Sequence, residues 1–420
     1  MSFSEWKEVA LEEIVDVLGD GLHGTPKYDE NGEYYFINGN NLDGNIIIDE
    51  KTKKVSYEEF LKYKKDLNER TILISINGTL GNVAFYNGEK VVLGKSACYF
   101  NVKENCSKEF IKYIMLSHAF KHYINTYSTG TTIKNMGLKQ MRAFRLNLPE
   151  INEQKAIAHV LSTLDEKIEV NNQINKTLEN MAQAIFKQWF MDFEFPNEDG
   201  EPYKSSGGEM IESELGMIPK GWEVRRIGDE CFCSLGGTPS RQKSDYWNGD
   251  IPWVNSGEVN NFRIYKPSEY ITKLGLEKSA TKLLKKKTTV LAITGATLGQ
   301  VSLLEIDTCT NQSVVGISEN DKISHVYIYP YVKSVIKKII GNQTGGAQQH
   351  INKGNVEDTK LLIPNKKVLN AYTKLVRPQY DLISSICFEN ELLTRLRDSL
   401  IPKLMSGEIR VPLDEDGDAS

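Results

Sequence analysis

The stretch SINGTLGNVAF at residues 75–85 returns as ITGATLGQVSL at residues 293–303. Other short segments return in the same order, among them Gly24-Thr25-Pro26 as Gly237-Thr238-Pro239. Matched residues lie 213–218 positions apart, a distance far longer than the period of a solenoid repeat. The sequence therefore predicts two tandem copies of one folding unit, and 420 residues are enough for two or three domains.

Each copy begins with short apolar runs, such as TILISING in the first and TVLAITGAT in the second. Gly, Asn and Pro interrupt these runs, which is typical of strands joined by tight turns. We therefore predict an α+β fold class, with a mostly β core in each of two tandem domains. The first domain is placed at residues 1–149 and the second at residues 217–364.

A long helix is predicted after each domain, at residues 150–190 and 365–410. Residues 151–190 contain neither Pro nor Gly, and residues 366–400 contain only Pro378, which we expect to kink or delay the second helix. Apolar residues spaced by threes and fours form a heptad seam in both helices. The predicted helix-pairing residues are Ile168, Asn175, Leu178, Ile185, Ile383, Asn390, Leu393 and Leu400.

Asn175 and Asn390 occupy matched positions in the two heptad seams. Either they fix the register of a helix pair, as a lone polar residue in a coiled coil does, or each simply faces solvent. The order of the segments predicts that the helices run antiparallel as a coiled coil. A globular domain would lie at each end, and the two would be related by a pseudo-two-fold axis.

The net charge of −5 is unevenly distributed along the chain. An acidic linker at residues 191–216 and an acidic tail at residues 411–420, predicted to be disordered, together carry −11. The rest of the chain is left with about +6, which permits binding to DNA. No apolar run is long enough to cross a membrane, and six scattered cysteines suit a reducing cytosol. We expect a cytoplasmic protein.

The sequence contains no pattern that predicts catalysis. The segment GEKVVLGKS at 88–96 has five residues where a phosphate-binding loop has four. No two prolines are adjacent, so the Pro-Pro-aromatic motif of an amino-methyltransferase base pocket is absent. Asp358 and Lys360 match only a fragment of a nuclease site. These absences favour a binding protein over an enzyme and predict neither a metal nor a cofactor in this chain.

The loops that differ most between the copies carry side chains suited to DNA. Arg, Asn and Gln read base edges, while Lys binds phosphate. The alternative is that these residues are merely polar turn positions. The candidate DNA-binding residues are Lys27, Asn38, Asn77, Lys134, Asn135, Arg241, Gln242, Lys243, Asn255, Gln348, Gln349, His350 and Lys353.

Four segments resemble the specificity subunit of type I restriction–modification systems. They are EQKAIAHVLSTLDEKIEVNN at 153–172, LGMIPKGWEVRRIGD at 215–229, GTPSRQKSDYWNGDIPWVNSGEV at 237–259 and SLIPKLMSGEIRV at 399–411. The resemblance implies two target-recognition domains, each reading half of a split, asymmetric site in double-stranded DNA. It also implies that the central and C-terminal conserved helices set the spacer between the half-sites.

In this family, a specificity subunit without catalytic activity carries two modification subunits, and through them the restriction subunits. The partner subunits use S-adenosylmethionine, ATP and Mg²⁺. The resemblance implies the same partners for this chain, with no membrane involved. Two alternatives are a repressor-like DNA-binding protein that acts alone and a free-standing modification enzyme. The second copy departs from the first because Val368 and Leu369 replace Glu153 and Gln154.

Overall fold

The computed structural model describes residues 5–130, 134–341 and 350–413. The chain forms two compact units. The first unit is built from residues up to 169 together with residues from 392 onwards, whereas the second is the continuous segment 170–391.

The first unit is a β-rich domain flanked by helices. A five-stranded sheet has the order β2-β9-β6-β7-β4, a three-stranded sheet has the order β5-β3-β8, and β1 pairs with β10. The strands are β1 (Lys7–Ala10), β2 (Val15–Asp20), β3 (Tyr34–Ile37), β4 (Leu42–Ile46), β5 (Lys54–Val55), β6 (Thr71–Ser75), β7 (Val83–Phe85), β8 (Val91–Leu93), β9 (Ala97–Val102) and β10 (Arg145–Leu148). The helices are α1 (Tyr57–Tyr63), α2 (Lys108–Leu116), α3 (His118–Tyr127), α4 (Leu138–Arg142) and the first part of α5 (Ile151–Phe190).

The second unit repeats this plan. Its two larger sheets have the orders β14-β21-β18-β19 and β16-β15-β20-β17, and the pairs β13-β22 and β11-β12 complete it. The strands are β11 (Met210–Ser213), β12 (Gly216–Pro219), β13 (Glu223–Arg226), β14 (Phe232–Leu235), β15 (Trp247–Val254), β16 (Glu269–Ile271), β17 (Leu283–Leu284), β18 (Thr289–Ala292), β19 (Val301–Leu303), β20 (Thr308–Thr310), β21 (Val314–Ser318) and β22 (Lys360–Ile363). The helices are α6 (Ile227–Glu230), α7 (Lys273–Glu277), α8 (His325–Gly341), α9 (Lys353–Glu357) and α10 (Lys366–Ser406), which continues into the first unit.

The repeated sequence forms the same hairpin in both units. It joins β6 to β7 in the first unit and β18 to β19 in the second. Gly81 and Gly299 both have a positive φ, 84° and 85°, which an L side chain rarely adopts. Their N–H groups donate to Ser75 and Ala292 respectively, each at 2.9 Å. The repeat in the sequence therefore encodes the same glycine-containing turn in both units.

The two long helices α5 and α10 pack against each other within each unit. In the first unit, Arg397 Nη1 lies 2.7 Å from Asp165 Oδ1. In the second unit, Asn171 Nδ2 donates to Asn390 Oδ1 at 2.8 Å. Partner numbers fall on one helix as they rise on the other, so the helices are antiparallel, as predicted. Pro378 does not delay the second helix, because α10 begins at Lys366 and continues through the exposed Pro378 to Ser406.

The predicted seam residues lie at varied depths. Ile383 is fully buried, and Asn175 and Asn390 are also buried, so the solvent-facing alternative for the two asparagines is wrong. They do not meet each other: Asn390 bonds to Asn171 and Asn172, whereas Asn175 lies beside the sulfur of Cys387. The remaining predicted positions, Ile168, Leu178, Ile185, Leu393 and Leu400, are partly buried.

The segment at residues 191–216 is a folded part of the second unit. Phe195 stacks on Tyr203 and Trp222, with ring centroids 4.6 and 5.0 Å apart. Residues Met210–Ser213 form β11 and pair with β12. The acidic residues of this segment therefore lie on a structured surface. Most of the predicted acidic tail, residues 414–420, is outside the described part of the chain.

Candidate nucleic-acid interface

In the first unit, the turn after β6 brings three of the candidate residues together. Asn77 Nδ2 donates to Asn135 Oδ1 at 3.3 Å, and the Gly78 N–H donates to the Lys134 carbonyl at 3.2 Å. Below them, the Met136 N–H donates to the Ile76 carbonyl at 2.8 Å, which ties the two loops to the core. Lys134 and Asn135 are exposed. The turn thus presents amide groups and an ammonium group from a fixed backbone.

Lys27 and Asn38 have different surroundings. Lys27 is exposed, and its backbone N–H donates to Glu59 Oε1 of α1 at 2.8 Å. Asn38 Oδ1 accepts a hydrogen bond from Ser96 Oγ at 3.0 Å, and the Asn38 N–H donates to Asn41 Oδ1. The Asn38 amide oxygen is therefore engaged by Ser96, which lies between β8 and β9.

The second unit repeats the tie between loops. The Ile351 N–H donates to the Ile293 carbonyl at 3.0 Å, as Met136 does to Ile76 in the first unit. His350 precedes this anchor and is exposed, while Lys353 forms an ion pair with Glu357 at 2.9 Å. Gln348 and Gln349 lie outside the described residues.

Arg241 is held in position by an aromatic ring and a carboxylate. Its guanidinium carbon lies 3.6 Å from the centre of the Trp247 ring. Both of its terminal nitrogens donate to the carboxylate of Glu269, one of them at 2.9 Å. The Arg241 side chain remains about half exposed. It is a planar donor group held in place before any ligand arrives, which is the group that reads guanine edges or phosphate.

The other described candidates of the second unit differ in the intramolecular hydrogen bonds that their side chains make. Gln242 is exposed, and Lys243 Nζ donates to Tyr246 Oη at 3.1 Å. Asn255, the counterpart of Asn38, accepts from the Gly257 N–H at 2.7 Å and so caps the turn that follows β15. Both asparagines thus have a structural role, whatever else they contact.

Sequence reasoning missed a buried ionic cluster in the second unit. Arg263 is fully buried, with Nη2 2.7 Å from Glu179 Oε2 of α5 and Nη1 donating to Tyr329 Oη. Glu305 accepts from Lys287 at 2.6 Å and from Ser384 of α10 at 2.7 Å. Burial alone would raise the pKa of Glu179, but Arg263 and Lys333 outweigh it and lower that pKa. The cluster joins the recognition domain to both long helices.

The Glu153-Gln154 pair, which the second copy lacks, has a defined role. Glu153 is buried and forms a bidentate ion pair with Arg410, while Trp6 Nε1 also donates to it at 3.2 Å. Gln154 accepts from the Ser107 N–H and donates to the Pro149 carbonyl. These contacts bind the start of α5 to the C-terminal segment and to the first domain.

The described residues show no arrangement typical of a catalytic metal centre. Within them, no three His, Cys, Asp or Glu side chains are grouped so as to hold a metal ion. Burial raises the pKa of all six cysteine thiols, including Cys231 and Cys233, to about 12 for that pair. No helix in the described part of the chain is long and apolar enough to cross a bilayer.

Two stretches of the chain, residues 3–180 and 219–373, match the family described as the type I restriction modification DNA specificity domain. Each stretch begins near the first strand of one domain and ends within the long helix that follows it. The chain belongs to this family. The two tandem copies inferred from the sequence are therefore two specificity domains, and the resemblance is confirmed.

Relatives of this specificity family align along most of the chain. The type I restriction enzyme MjaIX specificity subunit of Methanocaldococcus jannaschii is 28% identical over 392 residues, covering 92% of this chain and 86% of the relative. The HindI specificity subunit of Haemophilus influenzae is 24% identical over 466 residues, covering 97% and 100%. A crystal structure of a type I S subunit from M. genitalium covers 96% of both chains at 16% identity, with a TM-score of 0.57. That likeness confirms the mixed α/β fold.

Proposed function

We propose that this chain is the DNA-recognition subunit of a type I restriction–modification complex. Each specificity domain reads one half of a bipartite, asymmetric site in double-stranded DNA, and α5 with α10 sets the spacer. The observation that carries the proposal is the presence of two family domains in one chain. They share the hairpin and turn framework but differ in the exposed loops, so each can read a different sequence.

The loops of both domains offer suitable groups from a rigid base. Asn77 and Asn135 bond to each other in the first unit, and in the second unit Glu269 holds Arg241 beside exposed Gln242. Amide and guanidinium groups can form the paired hydrogen bonds that discriminate between bases. Exposed lysines such as Lys134 supply contacts to phosphate.

Within the second unit, the long helices carry exposed apolar residues, here called the exposed helix row. Its members recur at spacings of four or seven residues and are 38–50% exposed: Val170, Ile174 and Met181 on α5, and Leu375 and Leu382 on α10. Exposed apolar stripes on helices mark protein-binding surfaces. This row supports the docking of two modification subunits, which bring the restriction subunits with them. It favours a complex over a repressor that acts alone.

In this proposal, the chain has no catalytic step of its own. The partner subunits bind S-adenosylmethionine for adenine methylation, and ATP with Mg²⁺ for restriction. This chain contributes the choice of site and the geometry in which the partners meet it.

Methylome sequencing of a host with and without this gene tests the proposal. We expect one methylated motif made of two defined halves and an undefined spacer to disappear with the gene. An unchanged methylome in a strain that carries active modification subunits would refute the proposal. Loss of a continuous, unsplit motif would show that the two domains do not read separate halves.

A further inference from the structure

Each unit contains a groove built from the same three elements. The end of a long helix, the helix that follows the central sheet, and the last strand of the domain form its walls. In the second unit these are the ends of α5, α8 and β22, and the cavity measures about 510 Å³. In the first unit they are the ends of α10, the α2–α3 region and β10, and the cavity measures about 240 Å³.

The two grooves are lined at matched sequence positions. Phe190, the last residue of α5, and Met191, which follows it, correspond to Met405 and Ser406 at the end of α10. The second pair lies 215 residues later in the chain. Lys360 of β22 corresponds to Arg145 of β10 with the same separation. The repeated unit therefore includes the groove as well as the hairpin turn.

The chemistry of the grooves is also shared. Their floors are apolar, with buried Ile339 and Leu362 in the second unit and buried Ile114 and Leu146 in the first. Their mouths are basic: exposed Lys338 borders the second-unit groove, and exposed Arg145 with His118 borders the first.

Charged groups of both signs at these mouths form exposed ion pairs. Asp358, which lines the second-unit groove, lies 3.1 Å from Arg226, and Lys360 lies 2.7 Å from Glu214. At the first-unit groove, Arg145 lies 3.2 Å from Glu8. Because exposed ion pairs are weak, acidic side chains that flank the apolar anchors of a ligand can replace Glu8 and Glu214 as partners of the two grooves.

We propose that each groove receives the same short segment of a modification subunit, one copy per groove, with apolar anchors and acidic flanks. This inference rests on the proposed function, because it assigns the partner of that complex to a surface outside the exposed helix row. The occupant is the same in both grooves because the matched elements repeat. The second-unit groove binds more tightly, since Leu215 and Ile218 near the β11–β12 hairpin add an apolar wall to it.

The test uses the full chain and intact modification subunits. Met191 is 47% exposed and Ser406 is also exposed, so Met191→Asp and Ser406→Asp place a repelling charge at matched positions without emptying a core. Phe232→Asp and Leu61→Asp are the controls, because both side chains are exposed apolar groups outside the grooves and the long helices. Thermal melting followed by circular dichroism verifies that each variant is folded.

Binding is measured by native mass spectrometry and titration calorimetry. We expect two modification subunits per wild-type chain and per control chain. Each single variant should retain one tight site and weaken the other at least tenfold, and the double variant should weaken both. Wild-type affinity at both sites in the folded double variant would overturn the grooves as docking sites while leaving the proposed function intact. A wild-type chain that bound no modification subunit would overturn both proposals.

Crosslinking identifies the occupant. The six natural cysteines are buried and their thiol pKa values are raised, so Met191→Cys or Ser406→Cys can be labelled selectively with a photoreactive reagent. We expect both positions to capture the same acidic, apolar peptide of the modification subunit. Capture of two different peptides, or of a second copy of this chain, would overturn the proposal.

Discussion

Arg241 is held before DNA arrives, by the Trp247 ring and the Glu269 carboxylate. If it reads a guanine edge, we expect Arg241→Ala to weaken binding by about 1–3 kcal/mol and to relax one position of one half-site. Methylome sequencing and a salt titration of DNA binding measure these effects. A uniform loss across sequences, with a salt slope smaller by about one, would show that it contacts phosphate instead.

A second variant tests the effect of the ion pair between Arg241 and Glu269. Glu269→Gln removes the negative charge that competes with DNA for the Arg241 guanidinium. We therefore expect this variant to bind DNA more tightly than the wild type does. If both Arg241→Ala and Glu269→Gln leave the methylation pattern and affinity unchanged, Arg241 is a turn residue without a role in recognition.

Ionisation of Glu319 makes the free energy of unfolding depend on pH in the acidic range. Burial raises its pKa, but His325, with Nδ1 2.7 Å from Glu319 Oε2, outweighs this and lowers the pKa from 4.5 to about 2. Ionised Glu319 therefore stabilises the fold above pH about 4.5, and this contribution is lost as pH falls towards 2. Because the side chain is 35% exposed, we expect only about 1–2 kcal/mol.

Urea unfolding of wild type and Glu319→Gln at several pH values measures this contribution. The difference in unfolding free energy should be greatest near pH 6 and shrink below pH 4. An equal difference at pH 6 and pH 3 would contradict the assignment.

Single residues were the hardest feature to predict from sequence. Asn38 and Asn255 were assigned to DNA on side-chain type, yet the amide oxygen of Asn38 accepts a hydrogen bond from Ser96 and that of Asn255 caps its own turn. Arg263 gave no signal, because its partners Glu179 and Glu305 are distant in sequence and no motif joins them. Side-chain chemistry narrows the candidates, but only tertiary contacts show which groups are already engaged.

At the scale of elements, the long helices were predicted closely. The absence of Pro and Gly marked α5, which spans Ile151–Phe190, and the heptad pattern marked its pairing with α10. The segment at 191–216 was harder to predict, because its acidic residues, Gly and Pro are typical of a linker. Its aromatic residue Phe195 stacks on Tyr203 and on Trp222, and these contacts hold the segment in a folded arrangement.

The helix pair provides a direct test of the proposed spacer. Contacts of Asn171 with Asn390 and of Asn175 with Cys387 show that the level of Leu178 lies near Ile383. Insertion of one heptad after Leu178 and one before Ile383 should lengthen each helix by about 10 Å. We expect unchanged half-sites and a spacer longer by about 3 base pairs, at 3.4 Å per pair.

Methylome sequencing of cells that carry the paired insertion reads the spacer directly. Insertion in one helix alone is the control, because it breaks the register of the buried asparagines and should abolish methylation. An active paired insertion with an unaltered spacer would refute the idea that the helices set the distance.

At the scale of the whole molecule, the two-copy organisation was predictable because matched turns recur along the chain. Each domain also closes on itself: β1 pairs with β10, and β13 pairs with β22. The entry and exit of a domain are therefore adjacent. Replacement of residues 217–364 by the matching domain of a relative should change one half-site and leave the other unaltered.

Such a chimera must keep the contacts between the domain and the helices. Phe186 and Phe190 of α5 and Tyr372 of α10 share the core of the second unit, so a donor with similar side chains facing them is the best choice. Methylome sequencing of the chimera reads both halves, with the unmodified chain as control. A change in both halves would show that the domains do not read independently.

The way the first unit is assembled has a consequence for synthesis. Ile401, Leu404 and Met405 complete its core, and Arg410 pairs with buried Glu153, whereas the second unit is one continuous segment. A ribosome adds about 5–20 residues per second, so residues 170–391 take on the order of 10–40 s to make. During that time the domain that emerged first waits with an unfinished apolar core. The first unit is thus the first to be translated but the last to complete its core. During that interval its exposed apolar surface can bind chaperones.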